Sequence, residues 1–118
     1  MSQPLRVAII GAGNIGSALM GGILKAGVTT PDCVFATVKS KEHADDLARN
    51  YDARITAGGN LAAVQNADVV VLAVKPSILP SVLEEVRWGL REDRILISVA
   101  AAFPISEIEA QIGRRMPV

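Results

Sequence analysis

A doubly wound α/β fold, with one parallel sheet of about five strands in the order 3-2-1-4-5, is what this chain of 118 residues predicts. Three observations carry that expectation. Strand-sized apolar runs alternate with helical patterns from end to end, which calls for right-handed crossovers and a parallel sheet. Gly11-Ala12-Gly13-Asn14-Ile15-Gly16, a GxGxxG match, sits between the first strand and the first helix. Half the residues are hydrophobic, yet Phe, Trp and Tyr together number only four. The core must then be aliphatic, which suits strands buried on both faces. The length allows one domain, residues 1–118, and not two.

The elements follow in order. Leu5 to Ile10 is apolar at five of six positions and reads as a buried strand. The helix after the glycines carries Ile15, Leu19 and Ile23 on one stripe, with Ala18, Gly22 and Ala26 beside it. Gly27 stops it, and Thr29 to Asp32 form a loop. Cys33 to Thr37 read as strand two, Lys41 to Asn50 as a polar helix with Ala44, Leu47 and Ala48 inward, and Ala53 to Ile55 as a short strand three. Asn60 suits a helix cap ahead of Leu61, Val64 and Ala67. Val69 to Val74 form strand four. The next helix starts near Pro76 or Ser77, with Leu79, Val82, Leu83, Val86 and Leu90 inward. Pro80 fits there only within the first turn. Ile95 to Ala100 read as strand five, and a helix from about Pro104 points Ile105, Ile108 and Ile112 inward, with Gly113 as its stop. Pro117-Val118 is expected to begin a sixth strand, truncated at its start.

Strand, glycine loop and helix together form the context in which GxGxxG signifies dinucleotide binding, the Rossmann-type arrangement. Gly11 makes the tight turn, Gly13 lets backbone approach a pyrophosphate, and Gly16 lets the helix pack close to the strand. The helix N-terminus, with Asn14 and Ile15 in its first turn, offers N–H groups and partial positive charge to that pyrophosphate. An NAD-specific site usually carries an acid about 20 residues beyond the glycines, bonded to the ribose 2′-OH. No carboxylate lies between Cys33 and Lys41, and Thr37, Lys39, Ser40 and Lys41 stand there instead. Ammonium and hydroxyl donors match a 2′-phosphate, so NADP, as NADPH, is the expected cofactor, with NAD still able to bind.

The remaining chemistry is sparse. Lys+Arg and Asp+Glu are twelve each, so no basic excess points to nucleic acid or an anionic membrane. No apolar run approaches the roughly 18 residues of a membrane span, and the N-terminal residues show no signal-peptide pattern. The single cysteine, Cys33, fits a reducing, cytoplasmic compartment and reads as core. His43, the one histidine, lies on a polar helix and reads as a surface residue. Asp45-Asp46 and Glu84-Glu85 read as solvated faces, and Trp88 as a partly buried helix residue. No metal-ligand cluster is apparent, and hydride transfer needs none.

Three further segments narrow the reading: Ala73-Val74-Lys75-Pro76 after strand four, Ser98-Val99-Ala100-Ala101 at the end of strand five, and Gly58-Gly59-Asn60-Leu61 before the third helix. With the opening Ile10 to Ala18, they closely resemble the N-terminal dinucleotide-binding domain of pyrroline-5-carboxylate reductase, in order and over essentially the whole chain. The resemblance implies reduction of 1-pyrroline-5-carboxylate to L-proline, a step of proline biosynthesis, with hydride from NADPH or NADH. It implies that Ala73, Val74, Lys75 and Pro76 line the nicotinamide half of the cofactor. Thr37 and its neighbours would meet the adenosine ribose, Asn60 would touch cofactor, and Val99, Ala100 and Ala101 would wall the nicotinamide pocket. The family more often has glycine where Ala102 stands. The family's helical C-terminal domain, which builds its dimer and holds its substrate, has no counterpart in these residues. The expectation is therefore a cofactor-binding half of a homo-oligomeric enzyme, inactive by itself. Two other readings stand beside it: a non-catalytic NADP-binding module, and another NADP-dependent dehydrogenase, such as a hydroxyacid or deazaflavin-dependent one.

Overall fold

The computed structural model describes residues 4–65, 67–90, 94–99 and 105–112. Its elements are β1 (Val7–Ile10), α1 (Asn14–Lys25), β2 (Val34–Val38), α2 (Lys41–Asn50), β3 (Arg54–Ala57), α3 (Asn60–Gln65), β4 (Val69–Leu72), α4 (Leu79–Val86), β5 (Ile95–Ser98) and α5 (Ile105–Ile112). A 3-10 turn, Pro31–Cys33, leads into β2. The five strands form one sheet in the order β3-β2-β1-β4-β5, and every pairing is parallel. The expected architecture and strand order are therefore present.

Alternation along the strands divides the core in two. Ala8, Ile10, Val70, Leu72 and Leu96 point to one face, where Val64, Leu79, Leu83, Val86 and Ile108 cover them. Val7, Ile9, Val34, Ala36 and Val71 point to the other, under Met20, Ala44 and Leu47. The strand-pair register explains this: Val7 lies opposite both Val34 and Val69, so residues paired in register share a face across the sheet. Pro80 sits at the first or second position of α4, where its missing N–H has no intrahelical acceptor to lose. All five residues expected on the inner face of that helical segment are buried.

Several details differ from the sequence expectations, among them Ala48 on α2 and Ile105 on α5, both expected inward and both exposed. The stripe of α1 that meets the sheet runs through Gly16 and Met20. Ile15 is 60% exposed and Leu19 is 37% exposed. A Cβ at Gly16 would lie 3.2 Å from Ala73 Cβ and 3.3 Å from Ile9 Cγ2, so the helix approaches most closely along that glycine line. The flanking apolar residues are rotated aside. Cys33 ends the 3-10 turn and does not open β2. Trp88 follows α4, is 79% exposed, and stacks under the Arg87 guanidinium. The expected stop at Gly113 and start of a sixth strand at Pro117-Val118 lie outside the described residues.

One polar knot ties the strand starts together. The Asp68 carboxylate accepts from the Arg6 backbone N–H at 2.9 Å, from Arg6 Nη2 at 3.5 Å and from Arg94 Nη1 at 2.7 Å. It thereby joins the residues leading into β1, β4 and β5. The Arg6 N–H, helped by the Arg6 side chain and the Arg6 and Arg94 charges, holds the Asp68 carboxyl below its ordinary range against the opposing effect of burial. A carboxyl with a lowered folded-state pKa contributes stability that is complete above the unfolded value of about 3.9. That contribution is lost as pH falls through the folded value. Asp68→Asn should lower unfolding free energy at pH 7 by about 1–3 kcal/mol, the range for losing charge-assisted hydrogen bonds. It should also flatten the decline of stability below about pH 4. Urea titrations of both proteins at pH 7 and pH 3 test this. Equal losses of the variant's stability at the two pH values would refute the linkage.

Candidate functional site: a dinucleotide cleft at the strand ends

The cleft lies where the strand order reverses, at the carboxyl ends of β1 and β4, as expected for a doubly wound sheet. Its volume is about 580 Å³, and its lining includes Gly11, Ala12, Gly13, Val38, Lys39, His43, Gly58, Asn60, Ala73, Val74, Lys75, Ile78, Val82 and Glu85.

The glycine loop is its floor. Gly11 has φ +79°, a left-handed conformation that a Cβ disfavours. Its N–H donates to Thr37 Oγ1 at 3.1 Å, and the Ala12 N–H donates to the Thr37 carbonyl at 2.7 Å. The Gly13 N–H turns back to the Gly11 carbonyl at 2.7 Å. At the start of α1, Ser17 Oγ donates to the Ala12 carbonyl at 3.0 Å. The first intrahelical bond runs from Ser17 N–H to the Gly13 carbonyl at 2.9 Å. No side chain caps α1, and its first turn holds no acid. The N–H groups of that turn are therefore presented to an anion, with the helix dipole behind them. A Cβ at Gly13 would meet nothing within 4 Å, so the space over the loop is open to a phosphate. A Cβ at Gly16 would approach the Gly11 carbonyl to 3.0 Å. Gly11 thus makes the tight turn and Gly16 the close packing expected of them, with open space over Gly13 between them.

The second wall comes from the loop after β4. The Ala73 N–H continues the ladder to the Ile10 carbonyl at 2.9 Å. Val74 then packs directly over Gly11. The Lys75 carbonyl accepts from Ile78 and Leu79 N–H at 2.9 and 3.1 Å and starts the turn into α4. The Lys75 side chain remains exposed beside the cleft. Val99 N–H donates to the Leu72 carbonyl at 3.1 Å, which places the end of β5 next to this wall.

The structure brings Gly11, Gly13, Lys39, Asn60, Ala73, Val74 and Lys75 to the cleft. Asn14, Ile15 and Gly16 form the helix start behind the floor. Pro76 is exposed on the turn into α4. Ala100 and Ala101 lie outside the described residues. Two expected ribose contacts have different tasks here. Thr37 is 2% exposed and spends its hydroxyl as the acceptor that anchors Gly11. Ser40 is the N-cap of α2, accepting from the His43 N–H at 3.2 Å. Asn60 is the first residue of α3 and not its cap, since Gly59 supplies the carbonyl that accepts from Ala63 N–H. Its Nδ2 donates to Glu85 Oε1 at 2.8 Å.

His43 and Glu85 escaped sequence reasoning, yet both line the cleft. The signal for Glu85 was available: Ile78, Val82 and Glu85 follow i, i+4, i+7 spacing and share one helix stripe. For His43 the signal was its place three residues after the Ser40 cap, in the turn nearest the β2 end. Among the described residues no group of three or more His, Cys, Asp or Glu could hold a metal ion. No helix among them is long and apolar enough to cross a membrane.

An open anion floor, apolar walls and a cation in place of the acid after β2 fit a phosphate-bearing dinucleotide. Fold and site together define a dinucleotide-binding domain of the doubly wound α/β class. The chain belongs to the family described as "NADP oxidoreductase coenzyme F420-dependent", which matches residues 6–102. It is 36% identical over 104 residues to a pyrroline-5-carboxylate reductase of Methanosarcina acetivorans, covering 88% of this chain and 38% of that protein. Among solved structures, a pyrroline-5-carboxylate reductase from Coxiella burnetii superposes with a TM-score of 0.86 at 30% identity, over 94% of this chain and 41% of that one. The Plasmodium falciparum pyrroline carboxylate reductase with NADP bound gives a TM-score of 0.79 at 27% identity, over 94% of this chain and 39% of that one. The chain therefore spans about two fifths of the length of the relatives it matches.

Proposed function

We propose that the chain is the cofactor-binding part of a pyrroline-5-carboxylate reductase. It holds NADPH while the imine of 1-pyrroline-5-carboxylate is reduced to L-proline. The observation that carries this is the joint presence of an open glycine floor and the Ala73-Val74-Lys75 wall in a chain whose relatives bear that name. NADPH supplies the hydride. The N–H groups at the start of α1 bind the pyrophosphate, with Gly13 leaving room for it. Ala73 and Val74 form a small, apolar wall that orients the nicotinamide half and keeps water from that side. Lys75 stands at the same end and offers an ammonium to a cofactor oxygen or to the substrate carboxylate. A protein of the relatives' length is proposed to act as a cytoplasmic homo-oligomer, in keeping with the resemblance.

Two results are expected. Calorimetric titration should show NADPH binding more tightly than NADH, because Lys39 and not a carboxylate follows β2. Lys39→Ala should narrow the gap by about tenfold or more, the scale of one charge-assisted contact. A preference for NADH in the unmodified chain would overturn this reading. The second result concerns turnover. These 118 residues should show none with 1-pyrroline-5-carboxylate in excess, followed as NADPH oxidation. Hydride transfer needs the acceptor carbon held within about 3–3.5 Å of its donor. The described residues wall the nicotinamide end of the cleft on one side. Turnover matching that of a full-length relative would show that one wall suffices.

The matched family is named for coenzyme F420, which favours a second reading: hydride exchange between a reduced deazaflavin and NADP. Adding F420 in place of the imine to the same assay separates the two.

A further inference from the structure

The β2 end of the cleft carries two nitrogen donors, Lys39 from the loop and His43 from the first turn of α2. A dinucleotide lying with its pyrophosphate over Gly13 and its nicotinamide against Ala73 and Val74 must direct its adenosine half toward this end. Lys39 is exposed and rides on a loop. His43 is half-buried on a capped helix, with its own N–H bonded to Ser40 Oγ at 3.2 Å. The cap uses backbone alone on the histidine side, and His43 lines the cleft. An imidazole carries at least one N–H donor in either charge state. The carboxylate that lines the cleft, Glu85, already accepts from Asn60 Nδ2 at 2.8 Å. Lys41 and Ser40, which the chain places next to Lys39, are not in the lining.

We propose that His43 is a specificity-determining residue: its imidazole donates a hydrogen bond to the 2′-phosphate of NADPH beside the Lys39 ammonium. With NADH the same group meets only a neutral hydroxyl, and neutral hydrogen bonds are roughly half as strong as charge-assisted ones. This assignment rests on the dinucleotide reading of the cleft and adds to it the residue that selects the phosphorylated form.

The test is titration calorimetry of the chain and its variants with NADPH and NADH, with circular dichroism to confirm folding. His43→Ala should weaken NADPH about tenfold and NADH less than twofold. His43→Glu, which puts a like charge against the phosphate, should weaken NADPH by about 100-fold and leave NADH the tighter ligand. It also carries the comparison if the alanine variant misfolds. Unchanged NADPH affinity in both folded variants would overturn the role of His43 while leaving the cleft reading intact. Equal losses for the two nucleotides would reveal a merely structural residue and overturn the proposal. A tenfold loss of NADPH affinity on Lys41→Ala as well would assign selectivity to the diffuse charge of the loop, again overturning it. An unmodified chain that binds neither nucleotide would overturn both this assignment and the reading beneath it.

Discussion

Gly13→Val should abolish dinucleotide binding and leave the domain folded. At this glycine a Cβ would meet nothing within 4 Å, and the φ of −78° lies outside the left-handed region. The ψ of −145° falls beyond the usual extended range, so a valine costs some backbone strain but meets no steric obstacle. The position lines the cleft beside the uncapped start of α1, so the added methyls would occupy the volume over the loop that a pyrophosphate needs. Losing two charge-assisted contacts, each worth about 1.5–3 kcal/mol, weakens binding by roughly 100-fold or more. The expected result is a folded chain with a slightly lowered thermal midpoint and no heat of NADPH binding at micromolar protein. Retained affinity in a folded Gly13→Val chain would place the ligand somewhere other than this loop.

Gly11 predicts the opposite pattern, although it lies two residues away. Its φ of +79° is disfavoured for an alanine, and a Cβ there would come within 2.4 Å of Val74 Cγ1. Left-handed backbone costs about 1–2 kcal/mol for a residue with a Cβ, and an overpacked contact typically adds about 1–3 kcal/mol. Gly11→Ala should thus destabilise the domain by about 2–5 kcal/mol, read from urea unfolding. The double variant Gly11→Ala/Val74→Ala separates the two causes. Removing the valine methyls should recover the packing part of the loss and leave the backbone part. A Gly11→Ala chain as stable as the parent would mean that the turn relaxes freely. The contact with Val74 would then not be what sets the loop against the β4 wall.

This pair shows why GxGxxG, read as letters, is only half an argument. The spacing and the flanking strand and helix locate the loop and the cleft and call for a tight turn at Gly11 and close packing at Gly16. Which glycine is needed by the fold and which by the ligand is decided by Val74, a residue 63 positions beyond Gly11 in the chain. The same limit explains Thr37. Its place at the end of strand two suggested a ribose contact. The structure turns its hydroxyl inward to Gly11, because an otherwise buried loop N–H needs an acceptor and Thr37 is the neighbour that has one.

The chain by itself determined the alternation of strands and helices, the parallel order β3-β2-β1-β4-β5, and the location of the cleft at the ends of β1 and β4. It also determined the absence of an acid after β2. Each of these follows from local periodicity, from short connections and from the one hand that crossovers adopt. Tertiary structure decided the rest. The rotation of α1 was set by close approach at Gly16, which left Ile15 and Leu19 outside although they form the more apolar stripe. His43 and Glu85 entered the cleft because α2 and α4 begin at its rim and turn one side of their first or second turn toward it. Periodicity finds the face of a helix that a sheet will bury. It does not tell which remaining flank looks into a cavity, because that depends on where the neighbouring elements stop.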